Sequence, residues 1–197
     1  MKETLNLALR LALICAVAAL ALAQIDGLTR EPIAAAEARA QREAVKAVLP
    51  AFAELVIDTL STDTGEVVYY SGLQNGAVTG CAFTASTRLG YSGLIEIIVG
   101  VDPGGKVTGV RILRHAETPG LGANYAAPKV LNRFYKDREL AGDWKVVKDG
   151  GPVDAITGAT VTGRAIGDAI ATGGRRYAAD RDRIEARPAA TAVDQEK

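Results

Sequence analysis

Three hydrophobic patterns follow one another along the chain. Residues Leu5 to Ile25 are apolar except at Asn6, Arg10 and Gln24. At ~1.5 Å per residue, about 20 helical residues cross a ~30 Å hydrocarbon core, so this run predicts a transmembrane helix. Arg10 lies one to two turns inside it and can snorkel to the headgroups. From Glu31 to Leu55 the apolar positions change to a 3–4 spacing: Ile33, Ala36, Ala40, Ala44, Val48, Phe52 and Leu55. This stripe predicts a stalk or packing helix, capped by Thr29, with Pro32 in its first turn and Pro50 ending or kinking it. Beyond Val56 the pattern shortens to β-branched and aromatic runs, Val67 to Ser71, Val78 to Ala85, Leu94 to Val101 and Val107 to Leu113, divided by Gly, Asn and Asp. Asp102-Pro103-Gly104-Gly105 is a strong turn and predicts an antiparallel hairpin.

Helical patterning returns at Tyr125 to Tyr135, a further strand is expected at Trp144 to Lys148, and a last helix follows Thr162. In that helix Ile166, Ala169 and Ile170 face inward and Gly173-Gly174 form the stop. The expected organisation is a short N-terminus (1–4), a transmembrane helix (5–25), a stalk or packing helix (26–55), a folded domain (56–180) and a polar, disordered tail (181–197). Antiparallel strands with segregated helices give an α+β domain.

The N-terminal run has a rival reading as a cleaved signal peptide, with a basic region to Arg10 and Ala21-Leu22-Ala23 as an A-x-A cleavage site. Bulky Ile14 before Cys15 argues against a lipoprotein signal. Both leading readings export the remainder of the chain. Lys2, Arg10 and the α-amine precede the span, whereas Arg30, Arg39 and Arg42 come after it, so charge alone does not fix the orientation. The short N-terminal tail favours a cytoplasmic N-terminus with the domain on the opposite side of the membrane.

Composition narrows the chemistry by exclusion. The 197 residues carry 23 Lys+Arg against 23 Asp+Glu, which gives no hint of a nucleic-acid partner. One histidine, His115, and two cysteines, Cys15 and Cys81, cannot assemble a His/Cys metal cage or an iron–sulfur site. Gly120-Leu121-Gly122 fails as a dinucleotide fingerprint, because the third glycine position is Ala126 and Pro128 interrupts the helix. Cys81 can approach His115 only through strand pairing, and a satisfied structural histidine is the plainer reading.

The segment Asp154 to Gly163, DAITGATVTG, is different. If a helix begins near Thr162, Thr160 stands just before its N-terminus, where unpaired backbone N–H groups and the helix dipole favour an anion, phosphate above all. Thr157 and Thr162 can add hydroxyl donors. By itself the segment is equally an ordinary helix cap with small neighbours.

Taken together, the motifs carry a resemblance. Asp154-x-x-Thr157-Gly158-Ala159-Thr160 matches the flavinylation motif D-x-x-[S/T]-G-A-[S/T] of FMN-binding domains. His115-Ala116-Glu117-Thr118-Pro119-Gly120-Leu121-Gly122 resembles the H-x-E-T-P-G-L-G segment that accompanies it. Gly90-Tyr91-Ser92-Gly93-Leu94-Ile95 and Val99-Gly100-Val101-Asp102 resemble the preceding strand pair. From Leu5 to about Ala171 the chain is similar to the G subunits of Rnf ion-translocating electron transport complexes. It departs at Gly163, where that family often has Ser.

The resemblance implies FMN held by a phosphoester on Thr160, placed there by a flavin transferase that uses FAD. Asp154, Thr157, Gly158, Ala159 and Thr162 would surround the attachment point, with Thr118 and Leu121 against the flavin. Leu121 packs on the ring in that reading; in a plainer one it plugs the core. The implied function is one electron relay in a membrane complex that couples ferredoxin/NAD(H) electron transfer to sodium or proton translocation. Its partners would be the membrane and the other complex subunits, and alone it would not be a complete enzyme. Two other classes remain open: an exported flavin-free ligand-binding or scaffolding module, and an independent extracytoplasmic flavin reductase.

Overall fold

The computed structural model describes residues 1–62 and 65–185, and the chain divides at Arg42/Glu43 into two units. The first is helical from Lys2 and belongs to α1 (Lys2–Val48). Leu5, Leu9, Leu13, Val17 and Leu20 are all exposed along it, the condition of a helix whose apolar side chains have lipid rather than protein to meet. Among the described residues it is one helix long and apolar enough to span a membrane. The separate capped helix expected from Glu31 does not form. Thr29 donates its hydroxyl to the Ile25 carbonyl (2.8 Å) within α1, and Pro32 lies inside the helix, where its missing N–H costs the ladder one bond. The helix ends at Val48 rather than Leu55, two residues before Pro50.

The second unit is built on a five-stranded antiparallel meander in sequence order: β1 (Glu54–Thr62), β2 (Gly65–Gln74), β3 (Ala77–Gly90), β4 (Gly93–Val101) and β5 (Val107–His115). Period-two alternation sorts each strand between two faces. On one, Tyr69, Phe83, Ile95, Ile97, Val99 and Val110 pack with the helices that come after the sheet. On the other, Tyr70, Ala82 and Ile98 pack against Ala44, Val45, Val48 and Leu49 at the end of α1. Of the expected α1 stripe, only Ala44 and Val48 are buried there, while Ile33 is exposed.

Two glycines, paired across β4 and β5, let α1 come so close. A Cβ on Gly100 would collide with the Val48 carbonyl oxygen, and one on Gly109 would stand 3.2 Å from Val48 Cα. The Thr108 hydroxyl then donates to the Val48 carbonyl (2.5 Å), satisfying an orphan acceptor at the helix end.

The turns follow their residues. Asn75 and Gly76, with φ of 53° and 77°, supply the left-handed pair of a two-residue hairpin between β2 and β3. Between β4 and β5, Gly105 N donates to the Asp102 carbonyl (3.0 Å) and Lys106 N to Asp102 Oδ1 (2.9 Å).

After the sheet come a 3-10 turn (Gly122–Ala126), α2 (Pro128–Tyr135), a second 3-10 turn (Val147–Asp149) and α3 (Thr160–Glu185). Trp144 to Lys148 is not a strand. Val146 makes a single parallel bridge to Val153, and the Trp144 indole N–H donates to the Leu140 carbonyl (2.9 Å), which fixes this stretch as an irregular strap over α3. Nor does α3 stop at Gly173-Gly174. A Cβ on Gly173 would lie 2.7 Å from Ala85 Cβ and one on Gly174 2.9 Å from Leu140, so these glycines permit close packing inside a continuing helix. The helix runs on to Glu185, past the expected start of the tail, and residues 186–197 lie outside those described. Ile166, Ala169 and Ile170 are buried against the sheet, as the periodicity predicts.

Candidate functional site

Two turns of the same design meet at the N-terminus of α3. In the first, Leu121 N donates to the Thr118 carbonyl (3.2 Å) around Pro119 and Gly120, and Gly120 has φ 78°. In the second, Ala159 N donates to the Ile156 carbonyl (2.9 Å) around Thr157 and Gly158, and Gly158 has φ 82°. A left-handed glycine at the third position is what a type II turn demands, and Pro at the second presets the other dihedral. The turns touch through Leu121, whose Cδ2 would be 3.2 Å from a Cβ at Gly158. Leu121 is 46% exposed, so it does not plug the core.

Thr160 is the first residue of α3, so the helix begins two residues earlier than the sequence pattern placed it. The first helical bond is donated by Gly163 N to the Ala159 carbonyl (3.1 Å), so the N–H groups of Thr160, Val161 and Thr162 stand ahead of the ladder. With 26 residues of aligned peptide dipoles behind them, they form a positive end suited to an anion. Thr160 is half-buried; Asp154, Thr157, Gly158 and Thr118 are exposed around it, and Ala159 is buried.

Thr162 does not join that open rim. It is 1% exposed, and its hydroxyl donates to Glu117 Oε2 (2.5 Å). Glu117, itself 5% exposed, accepts the Ser92 N–H on its other oxygen (2.9 Å). Each of those donors, stranded without its acceptor, would cost ~1–3 kcal/mol. Two glycines clear the space. A Cβ on Gly122 would overlap Glu117 Oε2 and lie 2.5 Å from Thr162 Oγ1, and one on Gly90 would lie 2.9 Å from Glu117 Oε1.

Buried tyrosines brace the same corner from within. The Tyr125 hydroxyl accepts the Ile156 N–H (3.0 Å), and the Tyr135 hydroxyl donates to the Gly163 carbonyl (3.1 Å). Burial pushes the Tyr125 phenol up, partly countered by the Ile156 N–H, and pushes Tyr135 well up, with Tyr125 adding to it. The departure at Gly163 has its reason here: a Cβ would come to 2.6 Å from the Tyr125 hydroxyl. Outside, Arg164 grips Asp149 with two bonds (2.5 and 2.6 Å) and tethers the second 3-10 turn to α3. The Arg164 hydrogen bond holds the Asp149 carboxyl below its usual range, but the pair is open to solvent and its contribution to stability is small.

His115 and Cys81 are not neighbours. His115 pairs with Ile95 at one end of β4, and Cys81 is opposite Val101 at the other. His115 Nδ1 accepts the Glu117 N–H (3.2 Å), a structural role. Beside Ile156 an open groove of about 620 Å³ is lined by Ala123, Asn124, Lys129, Arg133 and Phe134. Clefts of that order hold small cofactors. The free helix N-terminus, a half-buried hydroxyl at its head and glycine-cleared turns beside it fit a phosphate ester.

The FMN-binding domain family matches residues 90–173, from the β3–β4 hairpin to the middle of α3. The G subunit of the ion-translocating oxidoreductase complex of Methanosarcina acetivorans is 34% identical over 175 residues, covering 86% of this chain and 92% of the relative. The chain belongs to this G-subunit family. Its members from Cereibacter sphaeroides (38% identical, 90% of this chain and 84% of the relative) and Haemophilus influenzae (35%, 79% and 80%) match over similar lengths. The G-subunit resemblance and the α+β architecture expected from sequence therefore both hold, with an N-terminal apolar helix ahead of the FMN-binding domain.

What sequence reasoning missed is the bond from Glu117 to Thr162 and the space that Gly122 clears for it. Glu117 and Gly122 both lie in the HAETPGLG segment, but nothing along the chain indicates that Glu117 reaches a hydroxyl 45 residues away.

Proposed function

We propose that this chain is a membrane-anchored flavoprotein subunit of an ion-translocating oxidoreductase complex, in which FMN held covalently by Thr160 relays electrons. The FMN-binding family match and the G-subunit relatives support the flavoprotein and complex parts of the reading. For the attachment point, the observation that carries it is the contrast within one helical turn. Thr160 heads α3 half-exposed, at the free N–H groups, whereas the Thr162 hydroxyl is buried and bonded to Glu117.

Attachment balances as phosphoryl transfer, in which a phosphoanhydride is exchanged for a phosphoester. The Thr160 oxygen bonds to the FMN-side phosphorus of FAD, the pyrophosphate P–O bond breaks, AMP leaves, and the hydroxyl proton passes to the flavin transferase or solvent. The isoalloxazine ring is untouched and supplies the redox chemistry. The protein's part is to hold the phosphate on the N–H groups of Thr160, Val161 and Thr162 and to shape the surroundings through Thr118, Leu121, Thr157 and Gly158, with Asp154 serving attachment. The domain faces the periplasm, where a dissociated FMN would be hard to replace, and the complex couples ferredoxin/NAD(H) electron transfer to sodium or proton movement.

Intact mass and absorption of the chain purified from native membranes test this reading. A yellow chromophore that survives denaturation, with a mass increment of one esterified FMN, is expected. A denatured chain of unmodified mass and no flavin absorption would overturn it.

A further inference from the structure

We infer that Glu117 is the positioning residue for flavin attachment: by fixing Thr162 inward, it turns Thr160 outward and locks the Thr118–Gly122 turn beside it. The inference rests on the reading of Thr160 as the FMN carrier. Successive residues of a helix are ~100° apart, so positions 160 and 162 project about 200° apart, on opposite sides of α3. Whatever holds the Thr162 hydroxyl in the interior therefore sets the direction of the Thr160 hydroxyl. Glu117 is what holds it, at 2.5 Å. Its other oxygen takes the Ser92 N–H at 2.9 Å, which anchors the β3–β4 hairpin to the same point.

The carboxylate is built in rather than incidental. It is 5% exposed, and Gly90 and Gly122 leave the space it fills. It also immediately precedes the turn whose Leu121 leans on Gly158, so one side chain registers the hairpin tip, the first turn and the start of α3. The same bond makes Thr162 a poor competitor for FMN. Its hydroxyl proton is committed to Glu117, and an approaching phosphate would meet a carboxylate.

The test uses the full chain in detergent, incubated with purified flavin transferase and FAD, with FMN uptake followed by intact mass. Glu117→Ala and Thr162→Val should each slow uptake by about tenfold or more. Thr162→Ser, which keeps the hydroxyl, should recover most of the rate lost in Thr162→Val. Glu117→Gln can still accept from Ser92 and donate to Thr162, and should recover most of the rate lost in Glu117→Ala. Tyr69→Phe is the stability control. It removes the buried bond to Asp180 (2.8 Å), 20 residues along α3 and thus ~30 Å from Thr160, and should load normally.

Amide exchange of the flavin-free protein supplies a reading independent of loading. Thr162→Val should exchange faster in residues 118–123 and 159–163 while its melting temperature stays within the range of Tyr69→Phe. Wild-type loading rates in Glu117→Ala and Thr162→Val would overturn the inference alone. A wild-type chain that takes up no FMN would overturn the reading beneath it as well.

Discussion

Three threonines lie within six residues at the site, and their surroundings separate them. Thr157 is exposed on a turn, Thr160 heads the helix and Thr162 is buried with its hydroxyl engaged. Only Thr160 combines access with the helix N–H groups, so Thr160→Ala should carry no FMN after treatment with the transferase, while Thr157→Ala should still carry it. Peptide mapping decides this, and covalent flavin retained in Thr160→Ala would remove the assignment. Leu121 offers a second test at one residue. Being 46% exposed, it should cost only about 0.5 kcal/mol of stability or less when shortened to Ala, as surface changes usually do. The flavin's absorption and midpoint potential should shift instead, because Leu121 overhangs the turn that leads into Thr160. A clear fall in melting temperature with an unchanged flavin would mean that Leu121 serves the fold.

At the scale of elements, the close seat of the last turn of α1, Ala44 to Val48, on the sheet depends on glycine. Gly100→Ala would drive a Cβ into the Val48 carbonyl, and overpacking of this kind costs ~1–3 kcal/mol. Thr108→Val, which removes the hydroxyl bonded to that same carbonyl, should cost about 0.5–1.5 kcal/mol. Denaturant melts of both variants check the contact, and wild-type midpoints would show that α1 is not seated there. Strands β2 to β5 were legible because alternation and turn residues are local signals. β1 was not, since Phe52 and Leu55 happen to continue the helical spacing past Val48; Pro50 was the better marker. Gly173 and Gly174 misled in the opposite sense, because glycine at a helix stop and glycine under a neighbour's side chain look alike in one dimension. The Thr118–Leu121 and Ile156–Ala159 turns carry local marks in Pro119, Gly120 and Gly158, whereas Thr160 was singled out by resemblance to the flavinylation motif. The bond from Glu117 to Thr162, which joins two such turns, depends on tertiary distance and left no local trace.

For the molecule as a whole, pH response arises from its buried phenols. Burial first, then the hydrogen bond to Asp180, pushes Tyr69 far up; Tyr125 and Tyr135 are also raised, chiefly by burial. A folded pKa above the unfolded value of about 10 gives stability that is whole below that pH and is lost as pH rises through the folded values. Thermal stability should therefore hold through about pH 9 and fall above about 10. Absorbance at alkaline pH should show part of the six tyrosines ionising only as the fold is lost. All six titrating together in an intact fold would contradict this. The anchor gives the last expectation. α1 is helical straight through Ala21-Leu22-Ala23 and carries its exposed leucines from Leu5 to Leu28 without an intervening break, as a retained membrane helix would. A released domain would also forfeit the tether that keeps a relay beside its partner subunits, where proximity replaces diffusion. The mature chain from native membranes should thus begin near Met1, and protease added to spheroplasts should degrade the domain while sparing the first residues. An N-terminus at Gln24 would show that the span is a cleaved signal, and a domain protected in intact spheroplasts would place it on the cytoplasmic side.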